Sequence, residues 1–427
     1  KRYRRVPLPI RKEMDRAEAR KLKKPLSTEI RPLNYTFNPV VKSKKNGISF
    51  SPWLKKYIEF HNSSIENGRL KDGVQYIVYE CTGDEFCGGL GDRVIGIIKT
   101  LYLAMLTNRV LLIDAPYPVS LDRILNPSFM AWNASFPETK KKAYMKSQSD
   151  LKRHSDALGY RILRTNGVQS FRLTEILHSS LMTKHLKSNG FSSYSASLTI
   201  SVPKAFHEAF WGLFKFDHSV LLRAEQMKLE ARLPRMGSDI LPYVGLHHRH
   251  GDRAIFETKK VFEMRFVGTK ITRQCYNIVK GIFPNDGVLN AAAYMASDST
   301  KVKEIMQKRD PSIHYHKDLQ IFHIDRSGIE GTKNKSNITS VLQGVIDAVA
   351  EVVILVDSEC LVMSKSMFSF LAYYIRGPEN RCNVAVQLCD MEAVIRRSNF
   401  YLYESGDKYV YDINASDEPK MMRINSQ

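Results

Sequence analysis

The sequence predicts an α/β protein with two lobes, each built on a parallel β-sheet, behind a basic amino-terminal stem. Three observations predict this class. A strand, glycine-rich turn, helix and strand follow one another between residues 74 and 114, and apolar strands alternate with helices between 243 and 356. Residues 1–45 are basic and lack an apolar stripe. We expect a stem at 1–50, a first lobe at 51–236 and a second lobe at 237–427.

The first lobe is predicted from one strand–helix–strand unit. Val74–Tyr79 has the β-branched and aromatic content of a strand, and the glycine-rich turn Gly88–Asp92 follows. Arg93–Thr107 then places apolar residues near helical spacing, and Arg109–Asp114 is typical of a short buried strand. Such a unit favours a doubly wound, Rossmann-like sheet, in which a ligand approaches the carboxyl ends of the strands.

The second lobe is predicted to begin where Pro234, Gly237 and Pro242 interrupt the pattern. Beyond them, the content of apolar and β-branched residues predicts several strands, and helical stretches are expected near 301–308 and 338–350. This alternation favours a second parallel sheet. The predicted strands are Tyr243–His248, Ala291–Ala296, Gln320–Ile324 and Val352–Val356.

Composition and charge limit the class of protein. The 427 residues are 43% hydrophobic, enough for a sizeable core, and no apolar run approaches the length of a membrane span. The formal charge of +20 is uneven, because residues 1–45 hold 15 basic against four acidic side chains. We interpret these residues as a solvated stem, since they lack regular aromatic interleaving for nucleic acid. Polyanion binding by the stem is the alternative.

Cysteines and sequons favour an oxidising compartment. The six cysteines are even in number and are not spaced as paired zinc ligands, so disulfides are expected, with buried free thiols as the alternative. Six N-x-S/T sequons agree with a glycosylated protein of the secretory pathway. The cysteines are Cys81, Cys87, Cys275, Cys360, Cys382 and Cys389, and the sequons are at Asn34, Asn62, Asn133, Asn334, Asn337 and Asn414.

The segment His247–Asp252 spans the end of a predicted strand and carries the main candidate for chemistry. A guanidinium at a strand end can hold two phosphate oxygens and neutralise a departing diphosphate, which suits Arg249. The alternative is a surface cluster in which Asp252 pairs with Arg249 or Arg253. Glu257 lies eight residues beyond Arg249 and could take a proton from a hydroxyl, although a surface glutamate is the simpler interpretation.

Two further segments could contribute polar groups to the same edge. Asp298 and Ser299 follow a predicted strand, where they could bind a base or ribose or cap the next helix. Ser364 and Ser366 precede an apolar helical run, so hydroxyls and backbone N–H groups gather at a helix start, which suits an anion. An ordinary serine-capped helix is the alternative for that segment.

Taken together, these segments resemble the GDP-fucose-dependent fucosyltransferase superfamily. Gly89–Arg93 with Leu106–Asp114 is similar to the first-lobe signature of the plant xyloglucan branch, which usually has Asn where Asp92 stands. His247–Asp252 resembles the HxRxxD element shared with core α-1,6- and nodulation fucosyltransferases. Ala296–Asp298 is similar to the A-T-D near the guanosine pocket. Gly344–Ile375 resembles the helix, strand, serine-rich turn and helix near the donor phosphates.

The resemblance implies a GT-B glycosyltransferase that is inverting and needs no metal or other cofactor. It assigns Arg249 to the β-phosphate, His247 to the neighbourhood of the donor and Glu257 to the catalytic base. Met367 stands where the family often has a second hydroxyl, so a backbone N–H contact is expected there. The implied donor-binding set is His247, Arg249, Asp252, Asp298, Ser299, Ser364, Ser366, Met367, Gly89, Gly91 and Arg93.

We therefore expect fucose transfer from GDP-fucose to a glycan or polysaccharide hydroxyl, with acceptor contacts mainly from the first lobe. The alternatives are a same-fold enzyme using another nucleotide sugar, or a non-catalytic glycan- or nucleotide-binding protein. Nucleic acid is not an expected partner. The resemblance implies the Golgi lumen and a type II membrane protein with an anchor before Lys1. A homodimer and the identity of the acceptor are left open.

Overall fold

Two parallel β-sheets form the framework in the computed structural model of the protein. The structure describes residues 48–81, 88–116, 118–136, 143–144, 159–163, 173–191, 201–237, 239–250, 259–280, 292–317, 319, 338–364, 366–377, 382–385, 399–404, 407–412 and 421–423. None of the helices in these ranges is both long enough and apolar enough to cross a membrane.

The first sheet has the strand order β4-β3-β7-β6, and every neighbouring pair is parallel. The predicted strand–helix–strand unit is confirmed as β3, α2 and β4. Up to residue 230 the elements are α1 (Pro52–Ser63), β1 (Ile65–Glu66), β2 (Arg69–Leu70), β3 (Tyr76–Glu80), α2 (Leu90–Leu106), β4 (Val110–Asp114), β5 (Leu125–Pro127), β6 (Ala143–Tyr144), β7 (Gly159–Leu163), α3 (Leu173–Leu177), α4 (Ser180–Ser188), α5 (Val202–Leu213), β8 (Phe214–Phe216) and α6 (His218–Glu230).

The second sheet has the order β13-β12-β11-β14-β15 and is also wholly parallel. In chain order this is 3-2-1-4-5, a doubly wound arrangement. From residue 235 the elements are β9 (Arg235–Met236), β10 (Asp239–Ile240), β11 (Val244–His248), α7 (Lys259–Lys280), β12 (Ala293–Ser297), α8 (Thr300–Arg309), β13 (Ile313–His314), α9 (Ile338–Asp357), β14 (Cys360–Met363), α10 (Met367–Arg376), β15 (Cys382–Ala385), β16 (Asn399–Glu404), β17 (Asp407–Asp412) and β18 (Met421–Arg423).

Most of the predicted elements of this lobe are confirmed, but one is wrong. Val352–Val356 was expected to be a strand and is the last part of helix α9. The five side chains are all buried, and a continuous apolar run of this length fits a buried helix and a buried strand equally well. The strand follows instead at Cys360–Met363. The predicted strand Gln320–Ile324 lies outside the described residues.

Helix α10 is held on three sides. Its Tyr374 ring stacks on Phe206 of α5 with the ring centroids 4.6 Å apart. The carbonyl of Ile375 accepts hydrogen bonds from His207 Nδ1 (2.8 Å) and Trp211 Nε1 (3.2 Å), both on α5. The buried Arg376 donates to the Val356 carbonyl of α9 at 3.2 Å and to the Asn383 side chain of β15 at 3.1 Å. Because α10 begins directly after the Ser364 turn, these contacts fix the position of that turn.

The expected disulfides are confirmed for the described cysteines. Cys360 and Cys382 face each other on the neighbouring strands β14 and β15, with their Cα atoms 4.5 Å apart, and form a disulfide. Cys81 and Cys275 are also disulfide-bonded. No cysteine in the described part of the chain is a free thiol.

Candidate functional site

The order of the second sheet reverses at β11, which has β12 on one side and β14 on the other. In doubly wound sheets, a crevice opens at such a reversal, outside the carboxyl ends of the strands, and ligands bind there. Arg249 follows β11, Asp298 follows β12 and Ser364 follows β14. The topology therefore brings three of the predicted site residues to one crevice.

Arg249 is anchored at both its backbone and its side chain. Its backbone N–H donates to Ser364 Oγ at 3.0 Å, and its Nη1 lies 3.2 Å from Asp298 Oδ2. The other carboxylate oxygen of Asp298 accepts from the backbone N–H of His250 at 2.6 Å. The Arg249 side chain is 32% exposed, whereas that of Asp298 is 7% exposed. The guanidinium is thus oriented from its buried side and remains accessible to a ligand.

This geometry gives Asp298 a positioning role that the sequence did not predict. The carboxylate was expected to bind a base or ribose, and it holds Arg249 and the backbone of His250. The contact with a nucleoside stays a prediction. The alternative in which Asp252 pairs with Arg249, like the role of Glu257, involves residues that lie outside the described ranges.

His247 precedes Arg249 by two residues and is buried. Its Nδ1 lies 2.9 Å from Ser364 Oγ and contacts Ser369 Oγ, and its ring stacks on Phe368 with the centroids 5.2 Å apart. Burial is the main cause that lowers the pKa of His247 to about 3. Ser364 Oγ accepts the Arg249 N–H, so its own proton can go to Nδ1. This assignment places the imidazole proton on Nε2, where it can serve as a donor.

Sequence reasoning missed Ser369. The residue is fully buried on α10, one turn beyond the N-cap Ser366, and its hydroxyl reaches across to the imidazole of His247. The only signal was a small polar residue inside the apolar run Met367–Ile375. Such a residue is equally compatible with a hydroxyl bonded to its own helix, so the contact with His247 could not be predicted.

Two helix amino termini flank Arg249. Ser366 caps α10 by accepting from the Phe368 N–H at 3.3 Å, and Ser299 caps α8 by accepting from the Val302 N–H at 3.3 Å. The capping alternative for both serines is therefore present in the structure, while donor binding by them stays a prediction. A helix amino terminus carries a partial positive charge, so both termini favour an anion in the crevice between them.

The glycine turn of the first lobe reaches the same place. A Cβ atom added to Gly91 would lie only 2.3 Å from the carbonyl oxygen of Met367, so α2 can approach the first residue of α10 this closely only with glycine there. Asp92 Oδ2 accepts from the Gly89 N–H at 3.2 Å. The buried Arg93 donates through Nε to the Gly88 carbonyl at 2.9 Å, which supports the turn. Donor contacts by Gly89, Gly91, Arg93 and Met367 remain predictions.

The buried histidines predict a dependence of stability on pH. Burial lowers the pKa of His247 to about 3 and that of His248 to about 4, against about 6.5 in the unfolded chain. Between these values the unfolded state binds more protons, so their contribution is complete above pH 6.5 and is lost as the pH falls. We expect the free energy of unfolding to fall as the pH falls, by up to about 1.4 kcal/mol per pH unit for each of the two histidines. Urea unfolding at pH 7, 6, 5 and 4 measures this decline.

The control for this prediction is a variant that removes only one of the two groups. His248→Gln should flatten the decline between pH 6.5 and 4, whereas replacement of the exposed His218 by Gln should leave it unchanged. Identical slopes for the wild type and His248→Gln would contradict the prediction.

The charge available for an anion in the described part of the site comes from Arg249 and the helix amides. Among the described residues, no group of three or more His, Cys, Asp or Glu side chains is placed to hold a metal ion. Metal independence stays a prediction of the sequence resemblance.

Comparison with family models and with curated proteins gives no match to this chain. Among solved structures, the chain is similar to a mutant of Arabidopsis thaliana FUT1 in complex with GDP, at 16% identity over 84% of this chain and 83% of that chain, with a TM-score of 0.48. It is similar to the fucosyltransferase NodZ from Bradyrhizobium at 12% identity, 70% and 92% coverage and a TM-score of 0.37. It is similar to POFUT1 in complex with GDP at 14% identity over 74% of this chain and 99% of that chain, with a TM-score of 0.39.

Proposed function

We propose that this chain is an inverting glycosyltransferase that transfers fucose from GDP-fucose to a hydroxyl group of a glycan or polysaccharide. The observation that carries the proposal is the Arg249 guanidinium, oriented by Asp298 at the reversal point of a doubly wound sheet and accessible from the crevice. The motif resemblance supplies the identity of the nucleotide and of the sugar.

The arrangement suits the stabilisation of a leaving diphosphate. Arg249 lies between the amino termini of α8 and α10, so a diphosphate there meets a guanidinium and two sets of backbone N–H groups. As the bond from the anomeric carbon to GDP breaks, negative charge grows on the phosphate oxygen. Fixed positive groups stabilise the transition state, which carries this charge, more than they stabilise bound GDP-fucose. They therefore lower the barrier.

His247 adds a neutral donor to this field. Because serine hydroxyls contact Nδ1, the Nε2–H group can donate a hydrogen bond to an oxygen atom of GDP-fucose. It does so without adding a titrating charge. The pKa of about 3 keeps the ring neutral throughout the physiological range. We assign His247 a donor-binding role and Ser369 a positioning role that fixes the imidazole.

The acceptor hydroxyl attacks the anomeric carbon from the face opposite GDP, which inverts the configuration in a single displacement. Its proton passes to a general base, for which the motif resemblance offers Glu257. The proposal assigns no metal and no further cofactor. GDP-fucose and an acceptor are then sufficient for turnover.

The proposed setting is the Golgi lumen. Two features favour an oxidising, glycosylating compartment: the disulfide Cys360–Cys382, and the exposed sequon residue Asn62.

Calorimetric titration with GDP, GDP-fucose, GDP-mannose and UDP-galactose tests the donor assignment. We expect binding of the guanine nucleotides and none of UDP-galactose, followed by GDP release from GDP-fucose that increases with a glycan acceptor. Absence of binding to every nucleotide would overturn the proposal. Tight GDP-fucose binding without any GDP release would favour the non-catalytic alternative.

A further inference from the structure

A cavity of about 270 Å³ opens at the carboxyl end of strand β4, in the first lobe. Its lining comes from three stretches: residues 113–116 at the end of β4, residues 120–122 and residues 132–136. The polar side chains that line it are Asp114, Ser120, Asp122, Asn133 and Ser135. None of these lining residues belongs to the proposed donor site.

The lining chemistry indicates a neutral, polyhydroxylated ligand. Two carboxylates accept hydrogen bonds, and two serine hydroxyls and an amide both donate and accept. Trp132 and Phe136 add aromatic surface, the usual apolar complement of a few placed polar groups. Among the described residues, the lining includes no Lys, Arg or His, in a chain with a net charge of +20. A phosphate would therefore meet two negative charges and no cation from the described lining.

The cavity lies on the same edge of the first sheet as the start of α2. Asp114 at the end of β4 is the register partner of Glu80 at the end of β3, and α2 is the next described element after β3. The amino terminus of α2 then contacts Met367 through Gly91, next to the crevice that holds Arg249. The cavity thus lies at the carboxyl ends of the strands, on the side of the first sheet from which the first lobe reaches the proposed donor site.

We propose that this cavity is a subsite for a neutral sugar residue of the acceptor glycan, with Asp114 and Asp122 accepting hydrogen bonds from its hydroxyl groups. The volume is just below the range of about 300 to 1,000 Å³ for drug-sized ligands, so it suits about one or two sugar rings. This inference rests on the proposed function and deepens it, because it names the acceptor class and places part of the acceptor.

The test measures saccharide binding directly, without turnover. The full chain is titrated with a panel of neutral gluco-, galacto- and chito-oligosaccharides, and GDP binding is measured on the same samples. In Asp114→Asn and Asp122→Asn, which keep the side-chain volume, we expect the Kd of the bound oligosaccharide to rise at least about tenfold, since hydrogen bonds to charged groups are the stronger ones. The affinity for GDP should be unchanged.

Two further variants guard the interpretation. Asp239→Asn removes an exposed carboxylate on β10 and should bind saccharide like the wild type. Ser120→Tyr places a ring at an exposed position of the lining and should block saccharide binding even if an aspartate variant fails to fold.

The outcomes separate this inference from the proposed function. Saccharide binding that is lost in the cavity variants supports the subsite, even if no nucleotide binds and the proposed function fails. Guanine-nucleotide binding with unaltered saccharide binding in all cavity variants overturns the subsite alone. Binding of no oligosaccharide by the wild type also overturns it, as does a titration with calcium chloride that shows the two aspartates to bind the metal alone.

Discussion

Replacing Arg249 with alanine is expected to reduce fucosyl transfer by about a hundredfold to a thousandfold while the protein stays folded. The side chain is one-third exposed and packs no core, so its loss removes little apolar burial. It does remove the cation that Asp298 holds in the crevice, where the proposed function places the growing charge of the leaving GDP. Initial rates of GDP release with a glycan acceptor measure the effect, and the midpoint of urea unfolding checks the fold.

The control for Arg249→Ala is Arg309→Ala. Arg309 is exposed at the far end of α8, so this variant loses the same unit of charge without touching the crevice and should keep wild-type rates. Arg249→Lys keeps the charge but loses the planar fork and should recover only part of the activity. Near-normal turnover in Arg249→Ala would remove Arg249 from the mechanism.

Glu257→Gln distinguishes the proposed role of Glu257 as general base from the proposed role of Arg249 in phosphate binding. If Glu257 accepts the proton of the acceptor hydroxyl, this variant should lose turnover and keep its affinity for GDP. Arg249→Ala should lose both. Retained turnover in Glu257→Gln would assign the proton to water or to another group.

Replacing Arg376 with methionine is expected to lower the free energy of unfolding by about 3 kcal/mol or more. The guanidinium is 2% exposed and donates to the carbonyl oxygens of Leu355 (3.2 Å), Val356 (3.2 Å) and Glu359 (3.0 Å), which follow or end helix α9. It also reaches Ser358 and, through Nε, the side chain of Asn383 on β15 at 3.1 Å. Methionine fills similar space but removes the guanidinium from all of these acceptors, of which Leu355 O keeps the hydrogen bond from Ser358 Oγ at 2.8 Å.

Equilibrium urea unfolding measures the effect on Arg376→Met, with Arg309→Met as the control. The exposed control should change stability by less than about 0.5 kcal/mol. Arg376 also ends the helix that begins at the Ser366 cap, so the methionine variant should bind GDP more weakly as well. A stability equal to that of the control would show that water or rearrangement satisfies the carbonyls.

The accuracy of the sequence prediction follows the range of the interactions involved. Strand β11 and helix α2 were predicted because their patterns of apolar residues are local, and the capping role of Ser299 and Ser366 depends on residues two or three positions away. Val352–Val356 was predicted incorrectly because the last part of helix α9 is buried on every side, so this stretch has no polar face and its periodicity gives no signal.

By itself, the sequence determined the α/β class, the strands of both sheets near the glycine turn and Arg249, and the position of Arg249 at a strand end. Only the tertiary structure decided which groups surround that arginine. Asp298 and Ser364 become its neighbours because β12 and β14 flank β11, and Ser369 meets His247 across 122 residues of chain. Strand order and helix packing depend on the burial of whole faces, which no local pattern encodes, so these contacts exist only once the sheet has formed.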